Sequence, residues 1–319
     1  MSDLLQASVI VPSTGRPASL DRCLASLAAQ TVAPLEVVVV WQADDDATRD
    51  AAERWRATTS IDARIVHSER RGIVPAENAG LHVSRGEIIL LIDDDATAPP
   101  TWIAQHLSHY RDASVGAVGG PIRNYFDDGS AYPTRKAQPV GQLAGSGRVI
   151  GNTYDHPAVW SSRAATDVDH VAGSNLSFRR RALTEFEEGL KPYWQLFELD
   201  ACLQIRDSGL RTVFDFANAV DHFPTVSAYA GGRDGDLAIK VFNAAYNHAF
   251  ILAKHSWGAV RGFRLAYLLG IGSVATPGVL GWLVATTRHG HPLREYRILA
   301  RTIRSHLQGW RDGTRVRAS

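Results

Sequence analysis

Residues 87–95 read Glu-Ile-Ile-Leu-Leu-Ile-Asp-Asp-Asp. Positions 88–92 form an uninterrupted apolar run of strand length, the pattern of a strand buried on both faces. Three consecutive carboxylates, Asp93, Asp94 and Asp95, end the run. Like charges this close disfavour one another's ionised forms. A divalent cation resolves the conflict, and hard oxygen ligands suit Mg²⁺ or Mn²⁺. In open α/β sheets, ligands bind beyond the carboxyl ends of strands. The stretch therefore places a metal site where such folds bind nucleotides. The competing reading of the segment taken alone is an acidic turn in solvent.

Working outward, strand and helix alternate. Residues 8–11, 37–40 and 63–66 are short β-branched runs that read as strands. Between them, Leu20, Cys23, Leu24 and Leu27 recur at helical spacing, with Ser19 in the N-cap position. Asp44, Asp45 and Asp46 open a polar, alanine-rich helix, where acidic residues suit the helix N-terminus. Residues 75–84 read as a further helix. Strands alternating with helices argue for a parallel sheet. Residues 127–170 break the pattern, being rich in Gly, Ser and Pro without periodicity, as in a functional loop. Order resumes at 171–180, continues through a helix from about 197 to Ser208, stops at Gly209, and ends in a strand near 212–214 and Asp221-His222-Phe223-Pro224.

Composition sets the limits. A chain of 319 residues, 45% hydrophobic and 21% charged, folds as one large domain with an appendage or as two small ones. A net charge of +1 gives no general affinity for nucleic acid. Cys23 and Cys202, without metal-type spacing, point to a reducing compartment and no disulfide framework. The N-terminus runs almost directly into a strand, so no signal peptide is expected. Neither Gly-x-x-x-x-Gly-Lys nor Gly-x-Gly-x-x-Gly is present to cradle phosphates.

Taken together, Ser8-Val9-Ile10-Val11-Pro12, residues 24–31, Arg71-Gly72-Ile73 with Asn78, Gly86-Glu87-Ile88-Ile89 into the aspartates, Gly173-Ser174-Asn175 with Phe178-Arg179-Arg180, the Glu198/Asp200 pair and His222 resemble family 2 glycosyltransferases. The resemblance runs from about residue 7 to 224. It implies an α/β fold of GT-A type, a Rossmann-like nucleotide-binding mixed sheet flanked by helices. It also implies inverting, metal-assisted transfer from a nucleotide-sugar donor, with Mn²⁺ or Mg²⁺ as cofactor. By the same resemblance, Asp93 approaches the donor and Asp94 stands beside it, Asp95 ligates the metal, and His222 lies near metal or phosphates. Pro12, Thr14, Arg16, Gln42 and Asn78 complete the donor-binding set. Glu198 falls at the catalytic acid position and Asp200 at the second acid. Trp41 and Gln42 replace the family's Asp-Asp at the end of the second strand, which departs from the usual UDP-reading pattern. The Gln-x-x-Arg-Trp motif of processive synthases is absent, which argues for transfer of a single sugar, as in building a cell-envelope polysaccharide. Tyr132, Tyr154 and Trp160, in the long loop, are expected to wall the acceptor.

The expected domains are 1–224, catalytic, and 225–319, a helical C-terminal appendage. Residues 236–255 read as a helix. Residues 265–287 carry no charge but are interrupted by Gly270, Gly272, Pro277, Gly278 and Gly281. Lys254, Arg261 and Arg264 precede this stretch, and eight arginines follow from Arg288 onward. Basic flanks on both sides of a broken apolar segment fit an interface-lying or re-entrant helical pair on anionic lipid better than a full span. The alternative is a soluble cap packed on the core. The expected setting is therefore cytoplasmic, peripheral or monotopic at the inner membrane face, with a glycan or lipid-linked acceptor. A nucleotidyltransferase would need a basic Gly-rich loop after the first strand, where residues 12–17 offer only Arg16. A module that merely binds sugar nucleotides has no need of a base such as Glu198.

Overall fold

The computed structural model describes residues 5–126, 128–132, 139–151, 163–192, 196–224, 236–273, 276–289 and 292–318. Its first part alternates as expected: β1 (Ala7–Ser13), α1 (Pro17–Ala28), β2 (Glu36–Gln42), α2 (Asp46–Thr58), β3 (Ala63–Ser68), α3 (Ile73–Val83) and β4 (Ile88–Leu91). Val37, Val38, Val39 and Val40 of β2 are fully buried, each adding roughly 1.5 kcal/mol of apolar burial. The cap of α1 differs from expectation. Arg16 is the N-cap residue and Pro17 takes the first helical position, so Ser19 lies inside the first turn. Proline fits there because its fixed φ suits a helix and its missing N–H has no helical partner to lose. Helix α2 is capped by Asp45, which accepts from the Thr48 N–H at 3.1 Å.

Next come β5 (Ala96–Thr97), α4 (Trp102–His109), β6 (Val115–Gly119), β7 (Ile122–Asn124), β8 (Gln142–Leu143), β9 (Val149–Ile150), β10 (Thr166–Val168), β11 (Leu176–Arg179), α5 (Phe197–Asp207), β12 (Arg211–Phe214) and β13 (Val220–His222). The main sheet has the order β10-β12-β6-β11-β4-β1-β2-β3. Strands β3, β2, β1 and β4 are parallel, whereas β11 inserts antiparallel between β4 and β6. The sheet is therefore mixed. A small sheet, β5-β13-β7, stands at the carboxyl end of β4.

The chain forms two compact units. The first is built from residues within 1–142, 151–186 and 201–228, the second from 143–150, 187–200 and 229–319. The second unit thus takes in two segments that precede the expected boundary at 224. One reason is local: Lys254 bonds Glu187 at 2.8 Å and Asp200 at 2.9 Å. The second unit contains α6 (Leu237–Lys254), α7 (Gly258–Gly270), α8 (Val279–His289) and α9 (Pro292–Ala318). Asp236 caps α6. Helices α6 and α9 lie in close contact because Gly309 and Gly313 of α9 meet the backbone of Tyr246 and Phe250, and a Cβ at either glycine would strike those carbonyl oxygens. The uncharged stretch 265–287 is broken between α7 and α8, as its glycines and proline require. No described helix is long and apolar enough to cross a membrane. Of the expected acceptor wall, Tyr132 stacks on Phe126 at 4.1 Å between centroids, while Tyr154 and Trp160 lie outside the described residues.

Candidate functional site

Register brings the site together. Strand β13 pairs antiparallel with β5, setting His222 opposite Ala96, and parallel with β7, setting His222 opposite Asn124. His222 is thereby delivered beside Asp95, 127 positions away in sequence (222 − 95). Its Nε2 lies 3.0 Å from Asp95 Oδ1 and 3.8 Å from an Asp93 oxygen. Ligand atoms of Asp93, Asp95 and His222 all fall within 4.8 Å of one another. Asp95 and His222 are buried, and Asp93 is partly exposed.

The other half of the site is cationic. Arg16, from the β1–α1 loop, meets Asp94 at 2.6 Å as an ion pair and Asp95 at 2.6 Å. Asp94 is sealed from solvent and also accepts from Ser13 Oγ at 2.5 Å. Burial pushes its carboxyl up to about 7, against the pull of Arg16 and with the push of Asp95. Burial also works against the Arg16 charge, but Asp94, Asp95 and Asp93 outweigh it and raise the guanidinium pKa. Asp45 accepts from Gly15 N–H and fastens the Arg16 loop to the start of α2.

Arg16 meets two of the three neighbouring carboxylates, Asp94 and Asp95, and the Asp94 carboxyl, raised to about 7, is only partly ionised near neutral pH. Asp93 and Asp95 are the carboxylates that could hold a divalent cation beside His222. The histidine gives an independent test of fit. Its Nδ1 lies 2.6 Å from Asn124 Oδ1, which only accepts, so Nδ1 carries the proton. That leaves Nε2 facing Asp95, where a neutral ring offers a lone pair to a cation and a charged ring pairs with the carboxylate. Two carboxylates and an imidazole are a competent donor set for Mn²⁺ or Mg²⁺, the nitrogen favouring Mn²⁺.

The remaining predicted residues divide. Gln42 is buried and its Oε1 accepts from Gly72 N–H at 2.7 Å, holding a glycine with φ of 133° at the entrance of α3. Asn78 is buried and its amide clasps the Phe186 backbone, accepting at 2.8 Å and donating at 3.0 Å. Trp41 stacks on His67 at 4.0 Å, with Arg49 over its ring at 5.7 Å. Pro12 is buried within β1, and Thr14 follows that strand in the loop. Glu198 is half-buried in the first turn of α5, just after Leu196, a non-glycine residue at φ 69°. Asp200 is fully buried and paired: Lys254 reaches it at 2.9 Å and His255 Nε2 at 2.9 Å. Burial alone would raise its pKa, but His255 and Lys254 hold it below the usual carboxylate range.

Two contributors were not legible beforehand. Asn124, the orienter of His222, sits in a three-residue strand with no motif around it. Asn175, quoted above only as part of a motif, fixes the small sheet. Its Nδ2 donates to Pro121 O at 3.1 Å and Asn218 O at 2.7 Å, just ahead of β7 and β13, while its Oδ1 accepts from Trp102 Nε1 at 2.9 Å.

The family profile described as Glycosyl transferase family 2 matches residues 8–184, which is more than half of the chain. A glucosyl-dolichyl phosphate glucuronosyltransferase of Haloferax volcanii is 27% identical over 68% of this chain and 69% of its own length. Glycosyltransferase AglE of the same organism is 26% identical over 42% of this chain, which spans only 45% of that relative. Among solved structures, mannosyltransferase PcManGT from Pyrobaculum calidifontis, in complex with GDP-Man and Mn²⁺, superposes with a TM-score of 0.58 at 21% identity. That match covers 99% of this chain and 85% of the other. The mixed sheet and its flanking helices are those of the GT-A fold.

Proposed function

The chain belongs to glycosyl transferase family 2, and from that premise we propose that it moves one sugar, with inversion, from a nucleotide-sugar donor to a hydroxyl of a lipid-linked or membrane-presented acceptor. The observation that carries this is the convergence of Asp93, Asp95 and His222 at the carboxyl end of β4, where nucleotides bind in open α/β sheets. The donor diphosphate lies against that cluster, with Arg16 limiting the negative charge it meets. When bound by Asp93, Asp95 and His222, a divalent cation supplies Lewis-acid stabilisation of the departing diphosphate.

Glu198 acts as the general base. It takes the acceptor hydroxyl proton as that oxygen attacks the anomeric carbon, while the bond from that carbon to the phosphate oxygen breaks and its electron pair leaves with the nucleoside diphosphate. Gln42 and Asn78 serve through the backbone they hold, keeping the α3 entrance and the Phe186 segment in place. Asp200 is a positioning residue, tying the first turn of α5 to Lys254 and His255.

Membrane presentation of the acceptor is supported by the second unit. Helices α7 and α8 leave Val260, Phe263, Leu280, Leu283 and Val284 exposed, with Phe263 and Leu280 each 58% accessible. Helix α9 adds arginines, about 1 kcal/mol each toward anionic headgroups. Such a surface supports a peripheral position on the cytoplasmic membrane face.

Screening nucleotide sugars for thermal stabilisation, with Mn²⁺ and with EDTA, tests the proposal. One donor should stabilise the protein only with metal, and should then yield a product of inverted anomeric configuration on a lipid-phosphate acceptor. Stabilisation by every donor regardless of metal, or nucleotidyl rather than glycosyl transfer, would overturn it.

A further inference from the structure

A cavity of about 730 Å³ opens at the other pole of the main sheet, lined by Arg85, Gly86, Glu87, Arg179, Arg180, Arg181 and Thr184. It lies at the amino end of β4 and the carboxyl end of β11, because those strands are antiparallel and pair Ile88 with Arg179. The length of β4 separates it from the aspartate cluster by on the order of 20 Å. The proposed transfer uses none of its residues.

Its charges are not matched. Arg85 is neutralised, bonding buried Glu36 at 3.0 Å and pairing with Asp62. Arg179 is held rigidly by neutral acceptors, donating to Val115 O and Tyr110 O at 2.7 Å and to Asp112 O at 3.1 Å, and among the described residues no carboxylate pairs with it. Among the described residues, no ion pair engages the guanidinium of Arg180 or Arg181, while the Arg180 backbone N–H is fixed on Glu87 O at 3.0 Å. The lining that Arg179, Arg180 and Arg181 share carries one carboxylate, Glu87. Planar guanidinium forks match the paired oxygens of phosphate better than a single point charge does, and a cavity of this size takes a small ligand.

We propose that this cavity is a second anion site, separate from the donor site, that takes a phosphate-bearing group: either a free phosphorylated small molecule or the phosphate of a lipid headgroup. Arg180 and Arg181 close on the phosphate, and Arg179, whose Nε and Nη2 are spent on backbone carbonyls, adds fixed positive charge.

The full chain is titrated calorimetrically with inorganic pyrophosphate in EDTA, which silences the metal-dependent donor site. It is also floated with phosphatidylcholine vesicles containing phosphatidic acid or, at equal charge, phosphatidylglycerol. The double variant Arg180→Ala/Arg181→Ala is the probe, Arg180→Lys/Arg181→Lys the partial rescue, and Asp95→Asn the control. If the source is soluble, pyrophosphate binding weakens at least ~10-fold in the alanine pair, recovers partly in the lysine pair and is unchanged in Asp95→Asn. If the source is lipid, the preference for phosphatidic acid over phosphatidylglycerol is lost in the alanine pair alone. Metal-dependent nucleotide-sugar stabilisation should survive in the alanine pair, which shows that it is folded and keeps this test separate from the transferase proposal. No binding of either probe to the wild-type chain, or binding unchanged by the alanine pair, overturns the site.

Discussion

Asp95 and Asp200 are both carboxylates withdrawn from water, and their surroundings are opposite. Asp200, with Glu187, faces Lys254 and His255, so its charge is met within its own unit. Asp95 stands with Asp93 and Asp94 beside Arg16 and His222 at the carboxyl end of β4. A buried acid whose cations are covalently part of the chain is architecture. A buried carboxylate crowded by two others, with a histidine nitrogen in reach, is a place for an ion. The same residue type carries both meanings, and only the partners distinguish them.

Removing Asp200 should have the largest effect. Asp200→Asn leaves Lys254 and His255 without the carboxylate they were folded around, and the expected cost is about 3–5 kcal/mol in urea unfolding. The sign with pH is fixed by the lowered folded pKa. The contribution is fully present above the unfolded value of about 3.9 and fades as pH falls through the folded one. The deficit should therefore be seen at pH 7 and should shrink below about pH 4. A deficit independent of pH would assign the loss to packing instead of charge.

Glu198 comes next, because it shares α5 with Asp200 yet is only half-buried. Glu198→Gln should retain donor binding and stability while kcat falls at least ~10²-fold. If Asp200→Asn, folded and assayed at low temperature, is the dead variant while Glu198→Gln works, the roles of the pair are reversed.

Asn124→Leu tests the orientation of His222. Loss of an outer-shell partner should weaken Mn²⁺ affinity about 10–100-fold with little change in kcat at saturating metal. An unchanged affinity would mean that β13 alone fixes the ring. The smallest effect is expected at the basic helix, where Arg304→Ala should weaken binding to anionic vesicles by about 1 kcal/mol, a difference that high salt removes.

Much of the first unit was legible because its signals are local. Buried strands announce themselves as runs such as residues 37–40 and 88–92, and the aspartates follow directly in sequence. What was not legible depends on pairing at long range. Nothing near Leu176 announces that β11 enters antiparallel between β4 and β6. Asn124 acquires its role only through the β13–β7 register. The partners of Asp200 lie 54 and 55 residues downstream, so its pairing with Lys254 and His255 was hidden behind a motif position. Two signals were local and still passed unread. Pro17 marks the first position of α1, and the spacing Gly309-x-x-x-Gly313 marks the closest approach of α9 to α6. Gln42 and Asn78 were read as donor-binding residues, and their amides are used on the backbone of Gly72 and Phe186.

The central claim is that Asp93, Asp95 and His222 hold a divalent cation. Titrating Mn²⁺ against the full chain, with UDP or GDP present and free Mn²⁺ followed by electron paramagnetic resonance, tests it most directly. The account predicts one Mn²⁺ per chain, weakened at least ~10-fold in Asp95→Asn and in His222→Phe, and unaltered in Asp200→Asn under conditions where circular dichroism shows it folded. Equal Mn²⁺ affinity in wild type and Asp95→Asn, or no Mn²⁺ bound by the wild-type chain at millimolar concentration, would contradict it.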